Sequence, residues 1–240
     1  EFGTNNTFTA IIDSSGNIGI GTEDPQKFVH VFDAGSSNIV TTRIQQESSN
    51  TPTDGGSLLE LGGTRSNGTF GHYGGIFGGR RNQASDNSGY LAFYTDNNDG
   101  QSMAERVRVD SNGKLLVGNT SSRANLNDGT DSAHIQLEGT TQNTSSLSVI
   151  RNSNNDGPAH LVLGKSRSGS VGGSTVLSSG DTIGQINFEG ADGTHLIRGA
   201  EIRAQIVSGV GANDMPTNLE FRTNGGSTSV TTRMTLLSGG

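Results

Sequence analysis

A ten-residue phrase occurs twice in this 240-residue chain and constrains its fold more than any other feature. IDSSGNIGIG (12–21) and VDSNGKLLVG (109–118) share an aspartate, a glycine three residues later, alternating aliphatic positions and a closing glycine. RMTLLSGG (233–240) matches the stretch that leads into the second copy. Such self-similarity is typical of tandem repeats, which bury surface against their neighbours along an axis rather than in one globular core.

The repeats predict a division into two β-modules. The first covers residues 16–112, and the second covers residues 113–240, with an insertion and the start of a further repeat at its end. Residues 1–15 are expected to hold an N-terminal tag remnant, since EFGT resembles a cloning scar, and the end of a preceding repeat.

Between the repeats, short apolar runs alternate with turn-forming pairs, and helical periodicity is nearly absent. Asp-Gly and Asn-Gly pairs separate many of the runs and suit hairpin turns, because both residues of such a pair tolerate positive φ. The sequence therefore predicts an all-β fold of about a dozen or more strands. The predicted strands are 27–32, 57–61, 90–95, 106–109, 134–139, 146–151, 160–164, 182–190, 200–207, 218–223 and 232–237.

The glycines of the first copy also resemble a nucleotide-binding loop. That loop needs Gly-x-Gly-x-x-Gly between a strand and a helix. Here Gly19 and Gly21 precede TEDP, which begins no convincing helix, and the second copy has Leu116 in place of Gly19. A repeated scaffold explains both copies, whereas a cofactor loop explains only one.

Composition adds a constraint on assembly. Hydrophobic residues make up 29% of the chain, glycine accounts for 37 residues, and tryptophan and cysteine are absent. A monomer of this length should bury about 70% of its surface, and few large side chains are present to do so. We therefore expect self-association. The net charge of −7 argues against a nucleic-acid partner, and no apolar run is long enough to predict membrane insertion.

Two stretches resemble known proteins. SSGNIGIGTEDPQKFVHV (14–31) resembles a phrase common in bacteriophage tail fibres and tailspikes. The stretch from DTIGQINFEG to TRMTL (181–236) resembles a module of marine phage fibres, including those of phages that infect cyanobacteria. In pattern, the resemblance covers nearly the whole chain.

The resemblance implies an elongated, intertwined homotrimeric fibre with triple β-helix or β-prism stretches, located in the virion tail. Its implied partners are other tail proteins and a host surface polysaccharide or outer-membrane receptor. Many such fibres carry a C-terminal intramolecular chaperone, which the sequence does not show. The implied function is structural and receptor-binding, without enzymatic activity. A polysaccharide depolymerase is the first alternative, and a bacterial trimeric adhesin is the second.

One segment is the best candidate for receptor contact. FGHYGGIFGGRRN (70–82) is the densest aromatic and basic patch of the chain. Aromatic rings next to arginines suit sugar contact through stacking and hydrogen bonding, although its phenylalanines also suit packing inside a shaft. The predicted receptor-binding residues are His72, Tyr73, Phe77, Arg80 and Arg81. The inserted loops near 191–198 and 208–217 are second choices.

Catalytic and metal sites have weaker support. A depolymerase needs paired carboxylates in a groove, and the second module offers Asp181, Glu189, Asp192, Glu201 and Glu220 without a spacing that pairs them. The five histidines lack zinc-binding spacing, and the Asn- and Asp-rich turns lack the full calcium-loop pattern. No cofactor is predicted, apart from an ion on or near the three-fold axis as an open alternative.

Overall fold

The two copies of the repeated phrase fold in the same way. In the first copy, the Gly16 N–H donates to the Asp13 carbonyl (3.1 Å) and the Asp13 N–H donates to the Asn17 carbonyl (2.9 Å). Asp110, Gly113 and Lys114 repeat these bonds at 2.9 and 3.0 Å. In each copy the aspartate Oδ1 also accepts two backbone N–H groups inside the turn.

Glycine is required at one position of this turn. Gly16 has a φ of +82° and Gly113 a φ of +75°, a region that other L-residues enter only with strain. Asn112 is not among the described residues with positive φ. The Asn112-Gly113 pair therefore lies in a hairpin, as predicted, but only the glycine uses positive φ. The hairpin instead has the three-residue geometry in which a tight turn is followed by one left-handed glycine.

The computed structural model describes residues 2–4, 7–31, 56–80, 88–97, 102–124, 126, 129 and 132–239. The chain divides into two compact units, Glu1–Ser57 and Leu58–Gly240. The described residues of the first unit form one sheet, in which β1–β2 and β2–β3 are antiparallel and β3–β4 are parallel. Its strands, in sheet order, are β1 (Phe2–Thr4), β2 (Thr7–Ile12), β3 (Ile18–Ile20) and β4 (Val29–Val31).

The middle sheet has six strands in the order β10-β9-β8-β7-β6-β5. The pairs from β6 to β9 are antiparallel, and β10 pairs in parallel with β9. The sheet thus ends as the first sheet does, with a parallel strand after the repeated phrase. Its strands are β5 (Gly56–Thr64), β6 (Phe70–Arg80), β7 (Gly89–Asp96), β8 (Met103–Val109), β9 (Leu115–Val117) and β10 (Ile135–Leu137).

The last sheet is a four-stranded antiparallel meander. It consists of β11 (Thr182–Ala191), β12 (Leu196–Ile206), β13 (Thr217–Asn224) and β14 (Val230–Leu236). Its inner strands are long and rich in β-branched and aliphatic residues, as sheet positions favour. The all-β prediction is confirmed: the described residues hold no α-helix and one turn of 3₁₀-helix at Gln142–Thr144. They also include no helix with the length and apolar content of a bilayer crossing.

Residues 146–177 connect the middle and last sheets without forming a strand. The predicted strands at 146–151 and 160–164 were therefore wrong. Their apolar alternation is real, but within the described residues their backbone groups have no backbone partner. Their aliphatic side chains are exposed, with Leu147 and Val162 each 80% accessible.

The last sheet has one apolar and one charged face. Strand register aligns Ile186, Ile202, Phe221 and Met234 across the four strands on the apolar face. Leu163 of the connecting segment lines a groove of this face together with Ile186 and Ile202. Much of the face is nevertheless uncovered, with Phe188 53% and Met234 50% accessible. An uncovered apolar face of this extent is unusual for a monomeric protein.

The opposite face of the last sheet is an ionic lattice. Glu201 is 2% accessible and receives hydrogen bonds from Arg198 Nη1 and Arg222 Nη1, each 2.8 Å long. Arg203 Nη2 donates to Glu220 Oε2 at 2.6 Å. The arginines thus compensate the charge of a buried carboxylate. All of these arginines belong to the same chain as Glu201.

Candidate functional site

The structure separates the predicted receptor-binding residues. His72, Tyr73 and Phe77 all lie in β6. Successive residues of a strand point to opposite faces, so Tyr73 and Phe77 share one face of the middle sheet and His72 lies on the other. Arg80 ends the strand, although its side chain is not described, and Arg81 lies outside the described residues.

His72 belongs to a small polar contact on its own face. Its Nδ1 lies in contact with Glu60 Oε1 of the adjacent strand. Its ring also meets Phe70 edge to face, with centroids 5.3 Å apart. His72 thus bridges β5 and β6 and makes no common surface with Phe77.

Phe77 lies in an aromatic cluster on the other face. It pairs across the strands with the buried Ala92, whose small side chain leaves room above it. Tyr90 and Tyr94, two residues to either side of Ala92, place their ring centroids 5.8 and 6.0 Å from that of Phe77. These distances lie within the range of favourable aromatic pairs.

Arg108 and Glu105 of β8 complete this cluster. The Arg108 guanidinium lies 3.7 Å from the centroid of the Tyr90 ring, a cation–π contact. Its Nε and Nη2 donate to the two Glu105 carboxylate oxygens at 2.7 and 2.6 Å. The Tyr94 hydroxyl donates to Glu105 Oε2 at 3.1 Å. The cluster is therefore fixed by bonds that run both along β8 and between strands.

The cluster has a defined protonation state. Burial, the Glu105 hydrogen bond and the negative charge of Glu105 raise the pKa of Tyr94 to about 12. The same carboxylate raises the pKa of Arg108. Tyr94 is therefore neutral at pH 7 and Arg108 keeps its charge.

Four members of this aromatic–arginine cluster are not predicted from the sequence, namely Tyr90, Tyr94, Glu105 and Arg108. Their signal was the alternation in β7, where Tyr90, Ala92 and Tyr94 interleave with Leu91 and Phe93. That pattern assigns the tyrosines to one face, but the sequence does not show which strand neighbours it.

The carboxylates named for a depolymerase are mostly engaged in structural contacts. Asp181 accepts hydrogen bonds from Arg167 and Lys165, and these bonds hold its pKa well below the usual range. Glu201 and Glu220 belong to the ionic lattice of the last sheet. Asp192 caps its own turn through the N–H groups of Thr194 and His195. Glu189 lies in β11. These arrangements give no support to an acid–base pair in a groove.

The secondary loop candidates are turns between strands of the last sheet. The first of them includes the Asp192 turn, where Gly193 has a φ of +104°. In the loop at 208–217, Gly211 and Asp214 form an isolated bridge, and Met215 is 52% accessible. Within the described part of the chain, no group of three or more histidine, aspartate or glutamate side chains is placed to hold a metal ion.

Two solved structures share the fold of this chain. One is the carboxy-terminal domain of the bacteriophage T5 L-shaped tail fibre, with a TM-score of 0.61, 16% sequence identity and coverage of 87% of both chains. The other is that domain with its intra-molecular chaperone domain, with the same score and identity, covering 87% of this chain and 60% of the other. No protein-family profile and no curated protein sequence matches. The chain therefore has the fold of a phage tail-fibre carboxy-terminal domain.

Proposed function

We propose that this chain is a segment of a phage tail fibre that assembles as a homotrimer and takes part in host attachment. The observation that carries the proposal is the shared fold with the T5 fibre domain over 87% of each chain. The chain would then be located in the virion tail, next to other tail proteins. In this proposal the two sequence modules, 16–112 and 113–240, are successive segments of one fibre.

Two exposed apolar surfaces of a single chain support the homotrimer. The last sheet exposes an apolar face, and residues 146–150 expose Leu147, Val149 and Ile150. Within the described residues, the 146–150 segment has no backbone hydrogen-bond partner, and the apolar face of the last sheet is only partly covered. In the proposed trimer, neighbouring copies of the same chain supply both the backbone partner and the cover. Closed three-fold symmetry also removes exposed strand edges.

The middle sheet supports a division between an inner and an outer face. Leu91 and Phe93 lie on one face, with Val107 and Val109 aligned beside them, and the aromatic–arginine cluster lies on the other. We place the apolar face toward other chains and the cluster toward the host. Receptor contact therefore falls to Tyr73 and Phe77 among the predicted residues, and Arg80 and Arg81 are retained as proposed contributors. His72 stays a prediction from the sequence only, because it lies on the face that we place toward other chains.

Two measurements test this function. Sedimentation equilibrium should give about three times the chain mass of 24.9 kDa, and the trimer should resist dissociation on an unheated denaturing gel, because interwound chains unfold slowly. Labelled protein should also adsorb to some members of a panel of bacterial strains with differing surface polysaccharides. A folded monomer at micromolar concentration would overturn the trimer. Failure to adsorb to any strain of the panel would overturn the attachment role.

A further inference from the structure

Three Asn-Gly pairs lie at connections between neighbouring strands. They are Asn67-Gly68, Asn112-Gly113 and Asn224-Gly225. Asparagine is a thermolabile residue, and it is most reactive before glycine, because glycine has no side chain to keep its backbone nitrogen away from the asparagine side chain. In a folded chain, the order in which such pairs react depends on how firmly each asparagine side chain is held.

The reaction is a cyclisation followed by hydrolysis. The glycine backbone nitrogen loses its proton and forms a bond to the asparagine Cγ, while the bond between Cγ and Nδ2 breaks. Nδ2 takes up the proton and leaves as ammonia, and the chain then contains a five-membered succinimide ring. Water opens this ring. Cleavage between the nitrogen and Cγ gives aspartate, and cleavage between the nitrogen and the backbone carbonyl carbon gives isoaspartate.

Two of the three asparagine side chains are held by hydrogen bonds. Asn67 Oδ1 accepts from the N–H and the hydroxyl of Thr69 at 3.1 and 2.7 Å. Asn224 is partly buried, its Nδ2 donates to the Arg198 carbonyl at 3.2 Å, and its Oδ1 accepts two backbone N–H groups at 2.8 and 3.0 Å. These bonds oppose the rotation that would bring Cγ to the glycine nitrogen.

The Asn112 side chain is not held in this way. It is exposed, and its amide makes no hydrogen bond with the described residues, since only the backbone N–H of Asn112 is engaged, with Asp110 Oδ1. The backbone does not distinguish this pair from the one at Asn67, because the N–H groups of Gly68 and Gly113 each donate at 2.9 Å to a carbonyl three residues earlier. The side chain therefore makes the difference.

We propose that Asn112 is a site of spontaneous deamidation in the folded chain, and that it reacts before the other two Asn-Gly pairs. The co-reactant is water, and the products are aspartate and isoaspartate at the turn of the second repeat. The first repeat has Ser15 at the matching position, so its turn cannot undergo this reaction. The modification thus falls on one of two otherwise similar hairpins.

The isoaspartate product changes the hairpin. It adds one carbon to the backbone between residues 112 and 113, inside a turn that is closed by bonds from Gly113 to Asp110 and from Asp110 to Lys114. The longer backbone no longer fits both bonds. We therefore expect modification to loosen β9, whose central residue Leu116 is fully buried.

The test is incubation of the full chain at mildly alkaline pH, followed by trypsin digestion and mass spectrometry. Each Asn-Gly pair falls in its own tryptic peptide, with a single asparagine and no glutamine; the peptides are 66–80, 109–114 and 223–233. Loss of the amide should be at least threefold faster at Asn112 than at the other two sites, and isoaspartyl methyltransferase should label the 109–114 peptide. In urea, the three rates should converge because the restraints are gone.

Three results would overturn the proposed site. They are no reaction at Asn112 in the folded chain, a reaction at Asn67 or Asn224 that is as fast, and an order of rates that urea leaves unchanged, since local sequence rather than structure would then set it.

The structural consequence has a matched control in Asn112→Ser. This variant copies the first repeat, in which the Ser15 N–H donates to Asp13 Oδ1 at 2.8 Å as the Asn112 N–H does to Asp110 Oδ1. After the same incubation, the amides of β9 should lose hydrogen-exchange protection in wild type and keep it in the variant. Full protection of β9 in wild-type chains that contain isoaspartate would overturn the predicted loosening.

Discussion

At the residue scale, Asp181 fixes the end of the long connecting segment. Arg167 Nε and Lys165 Nζ donate to its carboxylate at 2.6 and 3.0 Å, and the Ser178 N–H donates at 2.9 Å. Its own carbonyl accepts from Ile206 at the end of β12. Through its carboxylate and its backbone carbonyl, Asp181 therefore ties a segment without secondary structure to the first strand pair of the last sheet.

This contact makes the stability of the fold depend on pH. The hydrogen bonds from Arg167, Ser178 and Lys165 lower the pKa of Asp181 in the folded chain. A carboxyl with a lowered folded pKa stabilises the fold above its unfolded pKa of about 4, and loses that contribution as pH falls toward the folded value. We predict that Asp181→Asn lowers the thermal midpoint by several degrees at pH 7, and that the difference from wild type shrinks as pH falls below about 4.

The measurement is thermal unfolding followed by circular dichroism between pH 7 and pH 3. Asp156→Asn, a change of the same chemistry at an exposed position, serves as the control and should leave the midpoint unchanged. A difference between Asp181→Asn and wild type that stays constant over this pH range would contradict the assigned role of the carboxylate.

At the element scale, the repeated phrase forms a hairpin followed by a parallel strand. The turn at 110–114 joins β8 to β9, and β10 then pairs in parallel with β9. Leu116 in the centre of β9 is fully buried, whereas Gly19 occupies the same place in the first copy. A Cβ at Gly19 would lie 2.4 Å from the Thr22 carbonyl oxygen. The glycine that resembled a nucleotide loop is thus explained by close packing.

The hairpin leads to a prediction with an internal control. Gly113→Ala places a side chain at a φ of +75°, and should destabilise the fold by about 1 kcal/mol. Gly78→Ala adds the same methyl group in β6, where it would meet open space and where φ is not positive. Chemical denaturation of both variants should show a loss for the first and a change within about 0.5 kcal/mol for the second. Equal midpoints for the two variants would contradict a left-handed requirement at Gly113.

Some of these strands could be predicted from the sequence and others could not, and the difference lies in their local residue patterns. Strands β11 to β14 were predicted because each alternates and lies between turn residues. Strand β6 was expected only as a patch, since its glycines weaken the strand signal. Residues 146–151 and 160–164 were predicted as strands because they alternate. Alternation reports which face a side chain favours, but a strand also needs a backbone partner. The described residues of the chain supply no such partner there.

The residues of the aromatic–arginine cluster also divide into one that the sequence predicts and others that it does not. Phe77 was predicted from local composition, but its partners Tyr90 and Arg108 come from other strands. Their approach depends on the register of β6 with β7 and of β7 with β8, and a shift by one residue would move them to opposite faces. Spacing within one segment holds no information on that register.

At the scale of the whole molecule, a monomer and a trimer differ most in what they predict for mutations on the apolar face of the last sheet. In an isolated chain, Phe188 and Met234 are about half exposed. Replacement of either by a charged residue would then cost little, since exposed positions usually tolerate substitution within about 0.5 kcal/mol. In a trimer whose chains cover this face, the same charge would be buried without a partner, which is strongly unfavourable.

We therefore predict that Phe188→Glu and Met234→Glu shift the protein from trimer to monomer, or prevent its assembly in soluble form. Sedimentation velocity at several concentrations measures the outcome. Ala212→Glu introduces the same charge in the exposed connection between β12 and β13, and should leave the mass unchanged. If both apolar-face variants kept the wild-type mass and stability, this face would be free in solution. The low content of apolar residues would then need an explanation other than a hydrophobic core shared by three chains.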